Sequence, residues 1–393
     1  MNLPLNGIRV IDFSWMLAGP SATRSMADFG AQVIKVQSVL TATGMEQNET
    51  YLFAAMNRNK LGITLNMAKA EAGELLLRLL AISDVLVQNF SPRVMENWGL
   101  SYDSVKEQSP SLIMLNLSGF GATGPWRNYA AVADTVQSLS GLTRLSASGP
   151  DSGEIMACPY ADMLSGMFAL VAVLAALEER RKSGRGANID LSEFEAICSS
   201  LGPALLDYAF SGAVPHPWRG GWTPGGPFQG CYRCKGEDRW VVIQIDCQAQ
   251  WDSFCRIMGS PGWSGARKYS TLDNCKKYKQ QVDKYIQSWS IEVPAKTLLA
   301  GLRKARIPCS LLNDANDLAH DPQLRHRGYF VEQDHPALGR VTVDNTALRL
   351  SRTPALIRRP APLPGQDNDY VFKTLLKLGD ATIRRYRQGK IIY

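Results

Sequence analysis

GIRVIDFSWMLAGPSATRSMADFGAQVIKVQ, residues 7–37, reads as one supersecondary unit. The apolar run GIRVIDF predicts a strand, LAGPSATRSMADFG a loop and a helix ended by Gly30, and AQVIKVQ a second strand. A helix that returns the chain to the same sheet makes the two strands parallel through a right-handed crossover. The first turn, WMLAGPSA, lacks the GxGxxG phosphate fingerprint, which disfavours a dinucleotide cofactor. The pattern then repeats with the strand ITLNM, the amphipathic helix AEAGELLLRLLAIS, the strand DVLVQNF, and the strand SLIMLNLS running into the glycine-rich GFGATGPW. Such alternation predicts an α/β fold with a Rossmann-like, mostly parallel sheet. Ligands of such sheets collect at the carboxyl ends of the strands, so residues 15–20, 89–93 and 118–124 are the expected pocket wall.

Beyond Ala187, ANIDLSEFEAICSSLGPALLDYAF predicts a short strand and one long helix. Glycine and proline then crowd SGAVPHPWRGGWTPGGPFQG, residues 211–230, and mark a boundary. The expected organisation is a large domain from residues 1–220 and 321–393, a smaller α+β domain over 231–320, and a glycine-rich linker or lid at 221–230. In the smaller domain WVVIQID reads as a strand, with helices around QWDSFCRIM, CKKYKQQVDKYIQSWS and AKTLLAGLRKA. The tail holds a strand pair, YFVEQD and GRVTVDN, and a final helix expected to start near Asp367.

Composition narrows the function. With 45% hydrophobic and 20% charged residues the chain is a globular protein, not a disordered one. A net charge of +7 spread over 393 residues, in short basic runs, reads as solvated helix faces or an acidic-metabolite pocket, not a nucleic-acid stripe. The start MNLPLNGIRVIDF lacks the features of a signal peptide, and residues 163–177 are too short an apolar run for a membrane span. A cytoplasmic protein with a buried helix there is expected, and its eight scattered cysteines suit reduced thiols. Cys231 and Cys234 form a CxxC without a second pair, so no metal is expected.

One acid stands out. In ACPYADMLSGMFALVAVLAAL, residues 157–177, Asp162 is the single charge at the head of an apolar helix. It reads either as an N-terminal cap or as a carboxylate kept ionised by the helix N-terminus for attack on an electrophile.

These blocks, together with NRNKLGITLNM, VLVQNFSPRV, LNLSGFGATGPW, DTVQSLSGL, PYADMLSGMFALVAVLAALEERRKSGRG and DPQLRHRGYFVEQDHPALGRVTV, resemble the class III (family III) coenzyme A transferases in order and spacing, from about residue 5 to about 365. That family also holds the α-methylacyl-CoA racemases. The resemblance implies a large domain built from both chain ends and two subunits interlocked as rings, most simply a homodimer, with a heteromer as the alternative. It implies acyl-CoA and a carboxylic acid as substrates, no tightly bound cofactor, and no nucleic-acid or membrane partner. It assigns Asp162 as the nucleophile that forms first a mixed anhydride and then an aspartyl-CoA thioester. CoA would lie along Leu17, Ala18, Leu65, Asn89 and Phe90, with Arg93 as a phosphate-binding cation.

Departures from the family pattern redistribute some of these roles. Gln37, Ser38 and Asn97 stand where charged residues are common, which shifts phosphate binding towards Arg58, Lys60 or a partner subunit. No histidine precedes residue 216, and Val132 occupies the position of the racemase base, which favours transfer over racemisation. The four histidines sit in later loops, where surface roles are expected. A turn that often carries acid/base residues reads GQDN at 365–368. Trp15, Met16, Tyr160, Trp222 and Phe228 would either build a pocket for a bulky acid or simply pack. The remaining alternatives are a racemase with another second base and a non-catalytic subunit of a paired transferase.

Overall fold

The computed structural model describes residues 2–38, 40, 44–147, 154–212 and 226–393. The chain divides into two compact units, Met1–Thr143 with Ile155–Gly212 and Pro322–Tyr393, and Arg144–Glu154 with Ala213–Asp321.

In chain order the elements begin β1 (Arg9–Asp12), α1 (Ala18–Asp28), β2 (Gln32–Gln37), α2 (Tyr51–Asn57), β3 (Leu61–Thr64), α3 (Ala70–Leu80) and β4 (Val85–Gln88). They continue with α4 (Pro92–Asn97), α5 (Tyr102–Lys106), β5 (Ile113–Ser118), α6 (Ala133–Leu139), α7 (Leu142–Leu145) and α8 (Tyr160–Ser183). β6 (Asn188–Ser192), α9 (Glu193–Ser200) and α10 (Gly202–Ser211) follow. The six strands form one sheet in the order β3-β2-β1-β4-β5-β6, every pair parallel. The direction of winding reverses between β1 and β4, which opens a crevice at their carboxyl ends.

Both faces are covered along β1 to β5, so these strands are buried on both sides rather than alternating, whereas the edge strand β6 alternates exposed and half-buried residues. Val10, Val33 and Val85 pack on one face beneath α1 and α8. Ile11, Ile34 and Leu86 pack on the other beneath α3 and the C-terminal tail, which contributes Phe372, Ile383 and Ile392. The large unit is therefore closed by both ends of the chain. The GQDN turn sews the tail down: Asn368 takes the Thr64 N–H, Asp367 takes the Gly62 N–H, and Arg359 pairs with Asp367 at 3.0 Å. These side chains are committed to structure.

The second unit contains β7 (Phe228–Arg233), β8 (Trp240–Ile245), α11 (Gln248–Ile257), α12 (Leu272–Lys277), α13 (Lys279–Ser290), α14 (Ala295–Lys304), β9 (Cys309–Leu311) and α15 (Ala315–Ala319). Its antiparallel sheet runs β7-β8-β9 over an aromatic core in which Phe228 packs on Trp251. Back in the large unit come α16 (Pro322–His326), the hairpin β10 (Phe330–His335) and β11 (Gly339–Asp344), a π-helical segment (Tyr370–Leu375) and α17 (Asp380–Gln388).

Several sequence expectations are corrected. The helix after β6 is broken at Leu201 because Pro203 cannot donate the N–H that continuity needs. The final helix starts near Asp367 as expected, but it is π-helical over Tyr370–Leu375 and a break separates it from α17. Residues 228–230 belong to β7, so no lid extends over them, and residues 213–225 lie outside the described residues. Cys231 lies exposed on β7 and Cys234 buried just beyond its end, so the two thiols sit in different environments. His335 is buried rather than on the surface. Helix α8 is buried only along Ala161, Ser165, Gly166, Ala169 and Val173, while Met167 and Val171 are 68% and 65% exposed. By length and composition alone α8 could cross a membrane.

A fully buried ion pair holds the β1–α1 turn. Asp12 accepts from Lys60 at 2.9 Å, from Thr23 at 2.7 Å, and from both the N–H and hydroxyl of Ser14. Lys60 also donates to Asn57 at 2.8 Å and to the Pro20 carbonyl at 3.3 Å. Burial would raise the Asp12 carboxyl, but Lys60, Lys35 and the Ser14 hydrogen bond overcome it and hold it at about 2. Because this lies below the ordinary 3.8, the pair's stabilisation is complete above about pH 4 and is lost as pH falls towards 2. Replacing Lys60 by Met leaves a buried charge unpaired and should cost about 3 to 5 kcal/mol in urea unfolding at neutral pH. In that variant the loss of stability on acidification should also shrink; a cost under about 1 kcal/mol would contradict this role.

Candidate active site

The crevice at the switch point holds a cavity of about 780 Å³. Its wall is drawn from the carboxyl end of each strand in turn: Trp15 after β1, Gln37 in β2, Leu65 after β3, Asn89 and Phe90 after β4, Gly119 after β5. The lining is mainly apolar and aromatic, with Trp15 on Phe90 at 6.1 Å and Phe90 edge-on to Trp98 at 5.7 Å between ring centroids.

The turn between β1 and α1 spends its polar groups in fixing itself. Asn89 clamps Trp15 from across the crevice, accepting its N–H at 2.8 Å and donating to its carbonyl at 2.9 Å. Met16 takes a left-handed φ of 60°, unusual for a side-chain-bearing residue, and its N–H is held by Glu46 at 2.5 Å. The N–H of Ala18, at the start of α1, lies towards the carboxylate of Asp162 and favours its charged form.

Asp162 is half-buried in the first turn of α8. The helix begins at Tyr160, two residues earlier, so Asp162 is not the cap itself, and its own backbone N–H also favours the charged carboxylate. Burial raises its carboxyl, the two N–H groups pull it down, and Asp134 at the start of α6 raises it further. Helix α1 can bring Ala18 this close because residue 166 is glycine. A methyl group there would lie 2.0 Å from the Ser21 hydroxyl and 2.8 Å from the Ala18 carbonyl oxygen. Ala161 packs with Val136 and Ile197 against Phe120 and Ala131, which also line the cavity, so the head of α8 backs one cavity wall.

Glu193, absent from the sequence-based candidates, shares this place. It is the first residue of α9, is 8% exposed, and makes no hydrogen bond among the described residues. Burial, then the charge of Asp162, push its carboxyl up to about 7. Gln137 of α6 uses its side-chain oxygen on the Ala161 N–H at 3.0 Å, leaving its buried amide nitrogen without a partner among the described residues. Ser165, one turn beyond Asp162, is likewise buried with an unpartnered hydroxyl.

Among the expected pocket residues, Leu65, Asn89 and Phe90 meet around the cavity. Leu17, Ala18 and Arg93 lie outside its wall: Leu17 precedes α1, Ala18 is buried and turned to Asp162, and Arg93 is exposed on α4. Arg58 and Lys60 cannot bind phosphate. Both are fully buried, Arg58 on Asp28 at 2.7 Å and Lys60 on Asp12. Among the described residues lining the cavity the cations are Lys35, engaged by the Ser14 carbonyl and Glu46, and Arg127, on Glu96 at 2.7 Å. Of the possible acid-pocket aromatics, Phe228 belongs to the core of the second unit and Trp222 lies outside the described residues.

A doubly wound parallel sheet, an apolar cavity at its switch point and a carboxylate at converging helix N-termini define an α/β protein built to handle a large, partly apolar ligand. The chain belongs to CoA-transferase family III, whose model matches residues 5–368, and it is an enzyme of CoA transfer. It is 30% identical over 400 residues to the succinyl-CoA–L-malate CoA-transferase alpha subunit of Chloroflexus aurantiacus, covering 99% of this chain and 93% of that protein. Identity to the mouse succinyl-CoA:glutarate CoA-transferase is 28%, covering 97% and 88%. To the Escherichia coli formyl-CoA:oxalate CoA-transferase it is 29%, covering 95% and 96%. The fold matches a CAIB/BAIF family protein from Brucella suis at a TM-score of 0.87 and 25% identity, over 95% of this chain and all of that one.

Proposed function

We propose that Asp162 is the nucleophile of a two-stage transfer from an acyl-CoA to a free carboxylic acid. The observation that carries this is the position of its carboxylate, where the first turns of α1 and α8 meet and the Ala18 N–H points at it. An oxygen of Asp162 attacks the thioester carbonyl and the C–S bond breaks, giving a mixed anhydride and CoA thiolate. The thiolate then attacks the aspartyl carbonyl and releases the donor acid, leaving an aspartyl-CoA thioester. The acceptor carboxylate attacks this thioester, and the returning thiolate takes the acceptor's acyl carbon and frees Asp162. The same N–H groups that hold the carboxylate suit the negative oxygen of each tetrahedral stage.

CoA would occupy the switch-point cavity, its apolar arm against Leu65 and Phe90, with Leu17 and Ala18 shaping the turn beside it. Arg93 would reach its phosphates from outside the wall. The names of the relatives support short dicarboxylic substrates, with succinyl-CoA as the first donor to try. Eight free thiols fit a reducing, cytoplasmic setting. The bare apolar sides of α8 and α10, with Met167, Val171 and the 89%-exposed Phe210, support a second copy covering them as a homodimer.

Screening succinyl-CoA and formyl-CoA against malate, glutarate, oxalate and succinate should yield a new acyl-CoA from at least one pair. Asp162→Ala should lower that turnover by about four orders of magnitude or more with folding intact; near-normal turnover would refute the assignment. In heavy water without an acceptor acid, exchange of the donor's α-proton should be absent, since such exchange marks a racemase. Sedimentation equilibrium should give twice the chain mass, and a monomer would refute the pairing.

A further inference from the structure

A transferase of this kind must receive a carboxylate beside a carboxylate. Among the described residues, the elements packed around Asp162 offer no free positive charge for that purpose: α6 and α9 carry no Lys or Arg, Arg24 of α1 is paired with Asp344 at 3.1 Å, and the first on α8 is Arg180, eighteen residues along. At 1.5 Å per residue that is about 27 Å away. The charged groups on the elements packed against α9 near this end are acids: Asp162 on α8, Asp134 on α6, Asp190 on β6, and Glu195 on α9 itself. Asp190 is occupied by the Ala122 N–H at 2.9 Å.

A buried carboxyl near a second carboxylate holds its proton to higher pH than usual. Asp162 has two N–H groups and the start of α8 to hold its charge, whereas Glu193 has no hydrogen-bond partner at all among the described residues. The proton therefore resides on Glu193. A protonated carboxyl is a hydrogen-bond donor, and the helices packed on α9 carry two buried groups with no partner among the described residues, the Gln137 amide nitrogen and the Ser165 hydroxyl. Two unsatisfied polar groups on the elements that meet at these acids are costly to bury empty and are explained by a ligand that uses them.

We propose that Glu193 is an acceptor-binding residue: its carboxylic O–H donates to the carboxylate of the incoming acid beside Asp162, with the Gln137 amide as second donor. The proposal rests on Asp162 being the nucleophile. No proton need move. Once Asp162 carries CoA its own charge is gone, and the acceptor anion meets only neutral donors. The sign of the pH response follows. The acceptor acid, with an ordinary carboxyl near 4, stays ionised throughout, while Glu193 loses its proton as pH rises through about 7. Acceptor binding is therefore tight below that pH and weak above it.

The test uses succinyl-CoA with whichever of malate, glutarate or oxalate is turned over, and three proteins: wild type, Glu193→Gln and Glu193→Leu. For wild type the KM of the acid should rise about tenfold as pH increases through 7, while the KM of succinyl-CoA stays flat. Glu193→Leu should show an acid KM about tenfold higher below pH 7, yet still load the peptide carrying Asp162 from succinyl-CoA alone. Glu193→Gln, whose amide donates at every pH, should keep a low acid KM with no pH dependence. The proposal is overturned if wild-type acid KM is flat with pH, if Glu193→Leu leaves it within about twofold of wild type, or if Glu193→Gln keeps the wild-type pH profile. The last comparison decides the matter even if the leucine variant does not fold. A wild-type protein that forms no adduct at Asp162 refutes the nucleophile assignment itself, whereas normal adducts with unchanged acid KM refute only the role of Glu193.

Discussion

The buried pair of Asp12 and Lys60 is the constraint on which the rest of the large unit depends. Asp12 ends the central strand, and its four hydrogen bonds tie that strand to the following turn, to α1 through Thr23, and to the end of α2 through Lys60. A buried ion pair contributes little net stability against an apolar substitute, but it fixes geometry because neither partner can be satisfied elsewhere. That geometry carries over to the site. With Ser14 held by Asp12, Trp15 by Asn89 and Met16 by Glu46, the turn delivers α1 with the Ala18 N–H towards Asp162 of α8.

Helix packing completes the arrangement. Small residues at 161, 165, 166 and 169 let α8 lie close on α1, and close approach brings the two helix starts together over one carboxylate. The start of α9 brings a second carboxyl to the same place. Charge then divides unequally, Asp162 keeping it where N–H groups are supplied and Glu193 giving it up where none are. On the proposed assignment, a nucleophile and a neutral donor arise from two similar side chains by environment alone.

Much of this was legible in the residues, and the exceptions have physical causes. The strands of the parallel sheet show as apolar runs because both faces are covered, and Asp162 shows because nothing else near it is charged. Arg58 and Lys60 looked available for phosphate because a pattern of cations does not reveal whether acids lie across from them in space; Asp28 and Asp12 do. The break at Leu201 was written in Pro203 but outweighed by the apolar run around it. Glu193 escaped notice because SEFE, with Ser192 accepting the Glu195 N–H, reads as an ordinary solvated helix start. Only the packing of α8 and α6 over that start turns its first acid inward.

The central claim is that CoA passes through Asp162 rather than directly between two acids. Its most direct test is to run many turnovers with an acceptor acid whose carboxylate carries heavy oxygen, then to weigh the peptide containing Asp162. Each cycle through the aspartyl-CoA thioester returns one acceptor oxygen to Asp162 and expels the previous one with the donor acid. Heavy oxygen should therefore accumulate in that peptide and appear in the released donor acid. Turnover that leaves Asp162 unlabelled would contradict the account.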